Sequence, residues 1–316
     1  MIQPFFLGWT TCRESCDRSV RERKISVKEA VRCRGSYKVD LTIVVSYGRS
    51  GSTIFMRMLS QNPAFLIRRL FPYEGRTSQY LFAASKVGLP ANLDPVTYQE
   101  ATYEFAQYGD DEVLEFGRRL NEGASYDPLA LSKVMLDYAA SIERNTDAMY
   151  AVEKGIGVDL ARDIVSEIPT ARIIFLIRDP RSIYYSVKSF NRKRNIITFG
   201  EEAGEEELFR RIVKSLHYMN QLSMAIGERS TVLRYEEMME NTDLFCRRVL
   251  SFFSLSDENE TVNRMTSVVD LYDQSAKDHM TSSPRADVLR WKNDIKQSDL
   301  SIFSKWEGDL REIGYD

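Results

Sequence analysis

From residue 39 onward the apolar positions fall into two kinds of run that alternate. "LTIVV" (41–45) is a continuous, β-branched apolar stretch, the pattern of a parallel strand covered on both faces. "MYAVEK" (149–154), "ARIIFLI" (171–177) and "STVLRY" (230–235) repeat it, and 171–177 is the most apolar of the set. Between these runs apolar residues recur at helical spacing. Ile54, Phe55, Met58 and Leu59 precede the Asn62-Pro63 stop, and further helical patterns cover 158–168, about 205–227 and 242–253. "DPRSIYYSV" opens another helix, with Asp179 suited to the N-cap and Pro180 to the first helical position, where its missing N–H costs nothing. Strands separated by helices predict an α/β fold: a parallel β-sheet flanked by helices on both faces.

Three stretches break the alternation. Residues 1–38 are polar, with basic residues from Arg13 to Arg34 interleaved with Val20, Ile25, Val27, Ala30 and Val31. They are expected to form an N-terminal arm, leaving 39–316 as a single domain. Residues 72–147 form a tyrosine-rich insertion, and 191–204 ("NRKRNIITFGEEAG") reads as a mobile loop. Long excursions of this kind commonly build the substrate side of a site on an α/β sheet.

Composition narrows the function classes. A net charge of −3 over 316 residues argues against a dedicated nucleic-acid binder. No apolar run approaches the roughly 20 residues a membrane helix needs. The first residues have too short an apolar core for a secretory signal, so a soluble, cytoplasmic chain is expected. The cysteines, Cys12, Cys16, Cys33 and Cys246, lack zinc-site spacing, and His217 and His279 are the only histidines, so no metal is expected.

The chemistry concentrates where the first strand breaks into Gly48, Arg49, Ser50, Gly51, Ser52 and Thr53 before a helix. A strand-to-helix loop presents unpaired backbone N–H groups and the positive end of a helix dipole. Glycines let the backbone approach an anion, the hydroxyls add donors, and Arg49 adds a fixed charge in fork geometry. The register from Gly48 does not fit the ATP-binding Walker loop, and no G-x-G-x-x-G fingerprint occurs there. Arg178, at the end of the third long strand, and Ser186, two turns into the next helix, are placed to meet a single phosphate beyond the sheet's carboxyl edge.

With these motifs the chain resembles the PAPS-dependent sulfotransferases, in particular the arginine-loop branch that includes bacterial small-molecule and tyrosylprotein enzymes. That family's 5′-phosphosulfate loop, [PG]-[KR]-[ST]-G-[ST]-[ST], is matched by "GRSGST" (48–53), with Gly48 where many members carry proline. This substitution suggests a more flexible loop. The family's arginine and serine for the 3′-phosphate, eight residues apart, fall on Arg178 and Ser186. "VLRYEEMMENTDLFCRRVLSFF" resembles its strand-plus-tyrosine segment, which implicates Tyr235 near the adenine. "SSPRADVLRWKNDI" resembles its closing C-terminal loop, implicating Arg285 and also Arg290 or Lys292.

The resemblance implies a P-loop-like sulfotransferase fold, PAPS as donor and PAP as product, and transfer to a hydroxyl or amine of a small-molecule acceptor. It also implies a glutamate base shortly after the first helix, which "LFPYEGRTS" supplies as Glu74, flanked by aromatics. Lys154 falls where the family places a charge-stabilising residue, with Glu153 as a competing base. Carboxylates between Asp94 and Asp127 among the insertion's aromatics suggest a cationic acceptor. A small-molecule kinase using ATP and magnesium, and a non-catalytic PAP-binding module, remain open beside this reading.

Overall fold

The computed structural model describes residues 39–67, 73–74, 148–269, 288 and 290–316. The expected arm at 1–38, most of the insertion at 72–147, and Arg285 lie outside the described residues.

Five strands form one sheet: β1 (Asp40–Val45), β2 (Phe65–Leu66), β3 (Tyr150–Lys154), β4 (Arg172–Ile177) and β5 (Ser230–Arg234). Their order is β2-β3-β1-β4-β5 and every neighbouring pair is parallel. The register pairs Val44 with Lys154 across β1 and β3, and Val45 with Phe175 across β1 and β4.

Strand alternation divides the core in two. Leu41, Ile43 and Val45 of β1 join Ile173, Phe175 and Ile177 of β4 on one face. There they pack against α2 (Val158–Glu167), α3 (Pro180–Arg194), α4 (Glu205–Ile226) and α9 (Gln297–Ser304). Val44, Ile174 and Leu176 point to the other face. That face is covered by α1 (Ser52–Leu59), α5 (Tyr235–Glu240), α6 (Thr242–Phe252) and α7 (Asn259–Thr266). Two short helices, α8 (Arg290–Asp294) and α10 (Glu307–Glu312), complete the C-terminal region. Both faces of the parallel sheet are therefore buried, and this is why its strands read as continuous apolar runs rather than alternating ones.

The N-cap of α3 forms as its sequence predicts. The Asp179 carboxylate accepts from the Arg181 amide at 2.8 Å, and Pro180 is the first helical residue. The predicted strand at 230–235 ends at Arg234 instead. Tyr235 starts α5, with Glu236 and Glu237 in its first turn, where carboxylates favour a helix start.

The loop expected at 191–204 begins later than its sequence suggests. α3 continues to Arg194 and ends at Asn195 in the left-handed region, φ 53°. The Asn191 side chain then pins the chain beyond the helix end, donating to the Thr198 carbonyl at 3.0 Å and to Glu201 at 2.6 Å. A single 3₁₀ turn spans Glu201–Ala203. α9 is anchored by Asp299, 1 % exposed, whose carboxylate accepts from the Tyr184 hydroxyl at 3.2 Å and from the Tyr185 hydroxyl.

Candidate active site

β1 and β4 lie side by side, but the chain leaves them toward opposite faces, into α1 and into α3. A crevice beyond the carboxyl ends of two such strands is where open α/β sheets bind ligands. The loop from β1 leaves the sheet at this point. Gly51 sits in the left-handed region, φ 85°, at the N-cap of α1 and offers no side-chain cap. The amides of Ser52 and Thr53 open that helix, and helix-opening amides have no intrahelical acceptor. The Ser50 hydroxyl is 0 % exposed and has no hydrogen-bond partner among the described residues. A buried hydroxyl is normally paired, so this one leaves a donor unused beside the helix start.

Three cations converge on this helix start. Arg49 holds φ 74°, a conformation that costs a non-glycine residue about 1–3 kcal/mol unless its surroundings enforce it. They do. Arg178 donates to the Arg49 carbonyl at 3.2 Å, the Arg49 guanidinium lies 4.6 Å over the Phe190 ring, and its Nε faces the Ser186 hydroxyl at 3.4 Å. Arg178 itself is 3 % exposed and lies 4.3 Å over the Tyr235 ring. Lys154, also 3 % exposed, donates to the Thr53 hydroxyl at 2.8 Å and meets the Glu74 carboxylate at 3.5 Å.

The structure thus brings together Arg49, Ser50, Gly51, Ser52, Thr53, Lys154, Glu74, Arg178 and Ser186. Glu153 is separated from them. It pairs with Ile43 across the ladder and projects, by alternation, to the face opposite Lys154. The carboxylate beside Lys154 on the α1 side is therefore that of Glu74. Tyr235 is 2 % exposed, and its ring fills the space where a Cβ on Gly51 would stand, 2.3 Å from the nearest ring carbon. Its observed contacts are thus with the anion loop and Arg178.

Gly48 answers to a different constraint from the flexibility expected of it. A Cβ there would come within 2.4 Å of the Phe199 ring, so glycine is needed for close packing. Lys292 is exposed on α8, with its ammonium 5.8 Å from the neighbouring Trp291 ring; the Arg290 side chain lies outside the described residues.

One set of residues around the crevice went unnoticed in the sequence. Asp179, besides capping α3, takes two hydrogen bonds from the Arg181 guanidinium, at 2.9 Å each to its two oxygens. Its amide donates to Glu236 at 2.8 Å, and Glu236 also accepts from the Tyr315 hydroxyl at 3.2 Å. Burial pushes Glu236 above the ordinary carboxylate range, with the Asp179 amide and Arg178 opposing the shift. This network fastens the residues after β4, β5 and the C-terminal segment to one another. The only signal for it in the sequence was the charged tetrapeptide "RDPR" at a strand end, which marks the helix cap but not its distant partners.

Among the described residues no cluster of histidine, cysteine, aspartate and glutamate could hold a metal ion. Nor is any described helix long and apolar enough to cross a membrane. The site offers amides, hydroxyls and three cations, a donor set for phosphate-like oxygens.

Comparison with known proteins gives the family and the fold. The sequence model of the sulfotransferase family matches residues 42–259. A comparison with curated protein sequences returns no match. Among solved structures, the sulfotransferase domain of the curacin biosynthetic pathway superposes with a TM-score of 0.50 at 14 % identity, covering 89 % of this chain and 99 % of that one. The sulfotransferase domain of the Synechococcus PCC 7002 olefin synthase gives 0.50 at 17 % identity, over 89 % and 98 %. A mouse sulfotransferase, SULT7A1, complexed with PAP gives 0.51 at 11 % identity, over 87 % and 86 %. At these identities the superpositions speak to the fold, which is the P-loop-like sulfotransferase fold. By the extent of the family match, the chain belongs to the sulfotransferase family.

Proposed function

We propose that this protein transfers a sulfuryl group from PAPS to a hydroxyl or amine of a small-molecule acceptor. The observation that carries the reading is the convergence of Arg49, Lys154 and Arg178 on a helix start whose buried Ser50 hydroxyl has no partner among the described residues. The PAP complex of the structurally similar mouse enzyme supports the choice of nucleotide.

The residues fit such a donor. Arg49, the opening amides of α1, and the hydroxyls of Ser50, Ser52 and Thr53 would hold the 5′-phosphosulfate; Arg178 and Ser186 would hold the 3′-phosphate. PAPS, when bound, supplies an activated sulfuryl group with PAP as its leaving group. The protein positions the reactants, offsets charge and removes one proton. Lys154 brings a buried ammonium to the loop, where it neutralises charge that grows on oxygens during transfer. Glu74, 34 % exposed and held at 3.5 Å from Lys154, accepts the proton given up by the acceptor. The acceptor is proposed as a small molecule, a cationic natural product being the class suggested by the acidic, aromatic insertion.

Calorimetric titration with PAP, and separately with ATP and magnesium, tests the donor for the wild type and for Arg178→Ala. PAP binding that collapses in the variant is expected. Magnesium-dependent ATP binding without PAP binding would replace the sulfuryl donor with a phosphoryl one.

A further inference from the structure

Opposite the anion loop, the segment after α3 folds back so that one aromatic ring touches the loop's main chain. Phe199 adopts φ 59°, unusual for a bulky residue, and is held there from two sides. The Tyr47 hydroxyl donates to the Phe199 carbonyl at 2.6 Å, and the ring meets Phe190 edge-on at a centroid distance of 5.8 Å and an angle of 66°. Phe190 carries the Arg49 guanidinium on its face at 4.6 Å. The Phe199 ring also occupies the space a side chain at Gly48 would need, with two ring carbons 2.4 Å from the would-be Cβ. Tyr47, Gly48 and Arg49 are consecutive, so the circuit closes on itself. The loop fixes Phe199, Phe199 braces Phe190, and Phe190 carries the loop's arginine.

We propose that Phe199 is a positioning residue for Arg49, acting through Gly48 and Phe190 to hold the arginine in its left-handed conformation with its guanidinium turned toward Ser186. The role in binding rests on the sulfuryl-donor reading above; the mechanical role does not. Two features motivate it. Both Arg49 and Phe199 sit at positive φ, and paired outliers of this kind persist only where the surroundings over-determine them. Gly48 has no positive φ of its own, so close approach of the ring, and not backbone conformation, accounts for glycine there. The loop is thus braced by an aromatic ring on a segment distant in sequence. Burial pushes the Tyr47 phenol up to about 12, so it remains a donor to the Phe199 carbonyl across the range of any assay.

The test uses Phe199→Ala, Gly48→Ala and the double variant in the full chain, with two readouts. Hydrogen exchange in the free protein reports the brace without any ligand. Exchange of the peptide spanning residues 46–56 should accelerate about tenfold in Phe199→Ala, with β1 and β4 amides unchanged. No acceleration overturns the proposal, and so does acceleration that spreads to β1 and β4, since that signals general loosening.

Titration with PAP reports the consequence. Each single variant should weaken binding about five- to tenfold, on the scale of one aromatic contact. Because a methyl at Gly48 displaces the same ring that Phe199→Ala deletes, the double variant should lie within about threefold of either single one. With PAPS as substrate, KM should rise by the same factor while kcat changes less than about twofold. Additive losses, or a fall confined to kcat, overturn the proposal. A wild type that exchanges as expected but does not bind PAP overturns the donor reading alone and leaves the brace standing.

Discussion

Lys154→Met is the substitution whose consequences can be worked furthest from the geometry. The ammonium is 3 % exposed, 2.8 Å from the Thr53 hydroxyl and 3.5 Å from Glu74. Methionine keeps an unbranched stem of similar length and removes only the charge and its donors. Two unit charges about 4 Å apart interact by about 4 kcal/mol at an effective dielectric near 20. If about half a unit of charge moves onto oxygens that Lys154 faces, the lost stabilisation is about 2 kcal/mol, and a lost hydrogen bond adds about 1 kcal/mol. A barrier raised by about 3 kcal/mol slows turnover about 150-fold, within the range seen when one preorganised donor is removed. Stability should change far less. Glu74 is a third exposed, so its side of the pair is partly solvated, and such pairs contribute at most about 1 kcal/mol. The assay follows PAP release from PAPS with the best acceptor of a screened panel, alongside PAP titration and thermal melting. The expected result is kcat down by about two orders of magnitude, PAP affinity within about tenfold, and a Tm within a few degrees. Turnover within tenfold of wild type, or parallel losses in turnover and PAP affinity, would refute the assignment.

The choice of base yields a second expectation. Glu74→Gln should abolish turnover while PAP still binds, whereas Glu153→Gln, altered on the opposite sheet face, should leave kcat close to wild type; the reverse pattern in steady-state kinetics removes Glu74 from its role. Glu236 yields a third, in pH dependence. Burial raises its proton affinity in the folded state, so the folded protein binds the proton more tightly than the unfolded chain. The stability linked to that proton is complete below the unfolded value and is lost as pH rises through the raised folded value. Glu236→Gln should therefore gain in Tm relative to wild type as pH climbs through that window, then hold a constant difference above it. Melting curves at stepped pH would contradict this if the difference were flat throughout.

How far the sequence could be read depended on whether a residue's partner lay near it in the chain. β1 and β4 announce themselves because central parallel strands are apolar on both faces, and the start of α3 because Asp179 and Pro180 form a cap within two residues. β2 was invisible. Two residues, Phe65–Leu66, carry no period, and the turn before them is set by the Asn62 side chain accepting from the Ala64 amide at 3.0 Å. The nearness of the loop after β1 to Arg178 and Ser186 was legible because their spacing along the chain reflects one strand end and two helical turns. The purpose of Gly48 was not, since Phe199 lies far along the chain, beyond β4 and α3. Nor was the separation of Glu153 from Lys154. Adjacent carboxylate and ammonium in "AVEK" look interchangeable until strand register assigns each to a face.

That register has a consequence for how the family's chemistry can vary in this chain. Because Val44 is matched to Lys154 and Ile43 to Glu153, the polarity presented to the crevice is a matter of parity along β3. Sliding β3 by a single residue would exchange ammonium for carboxylate at the helix start and reverse the charge presented there, with no change in composition. Gains or losses of an odd number of residues within Tyr150–Lys154 would thus reverse that polarity, while the connection that precedes the strand can vary in length without reversing it.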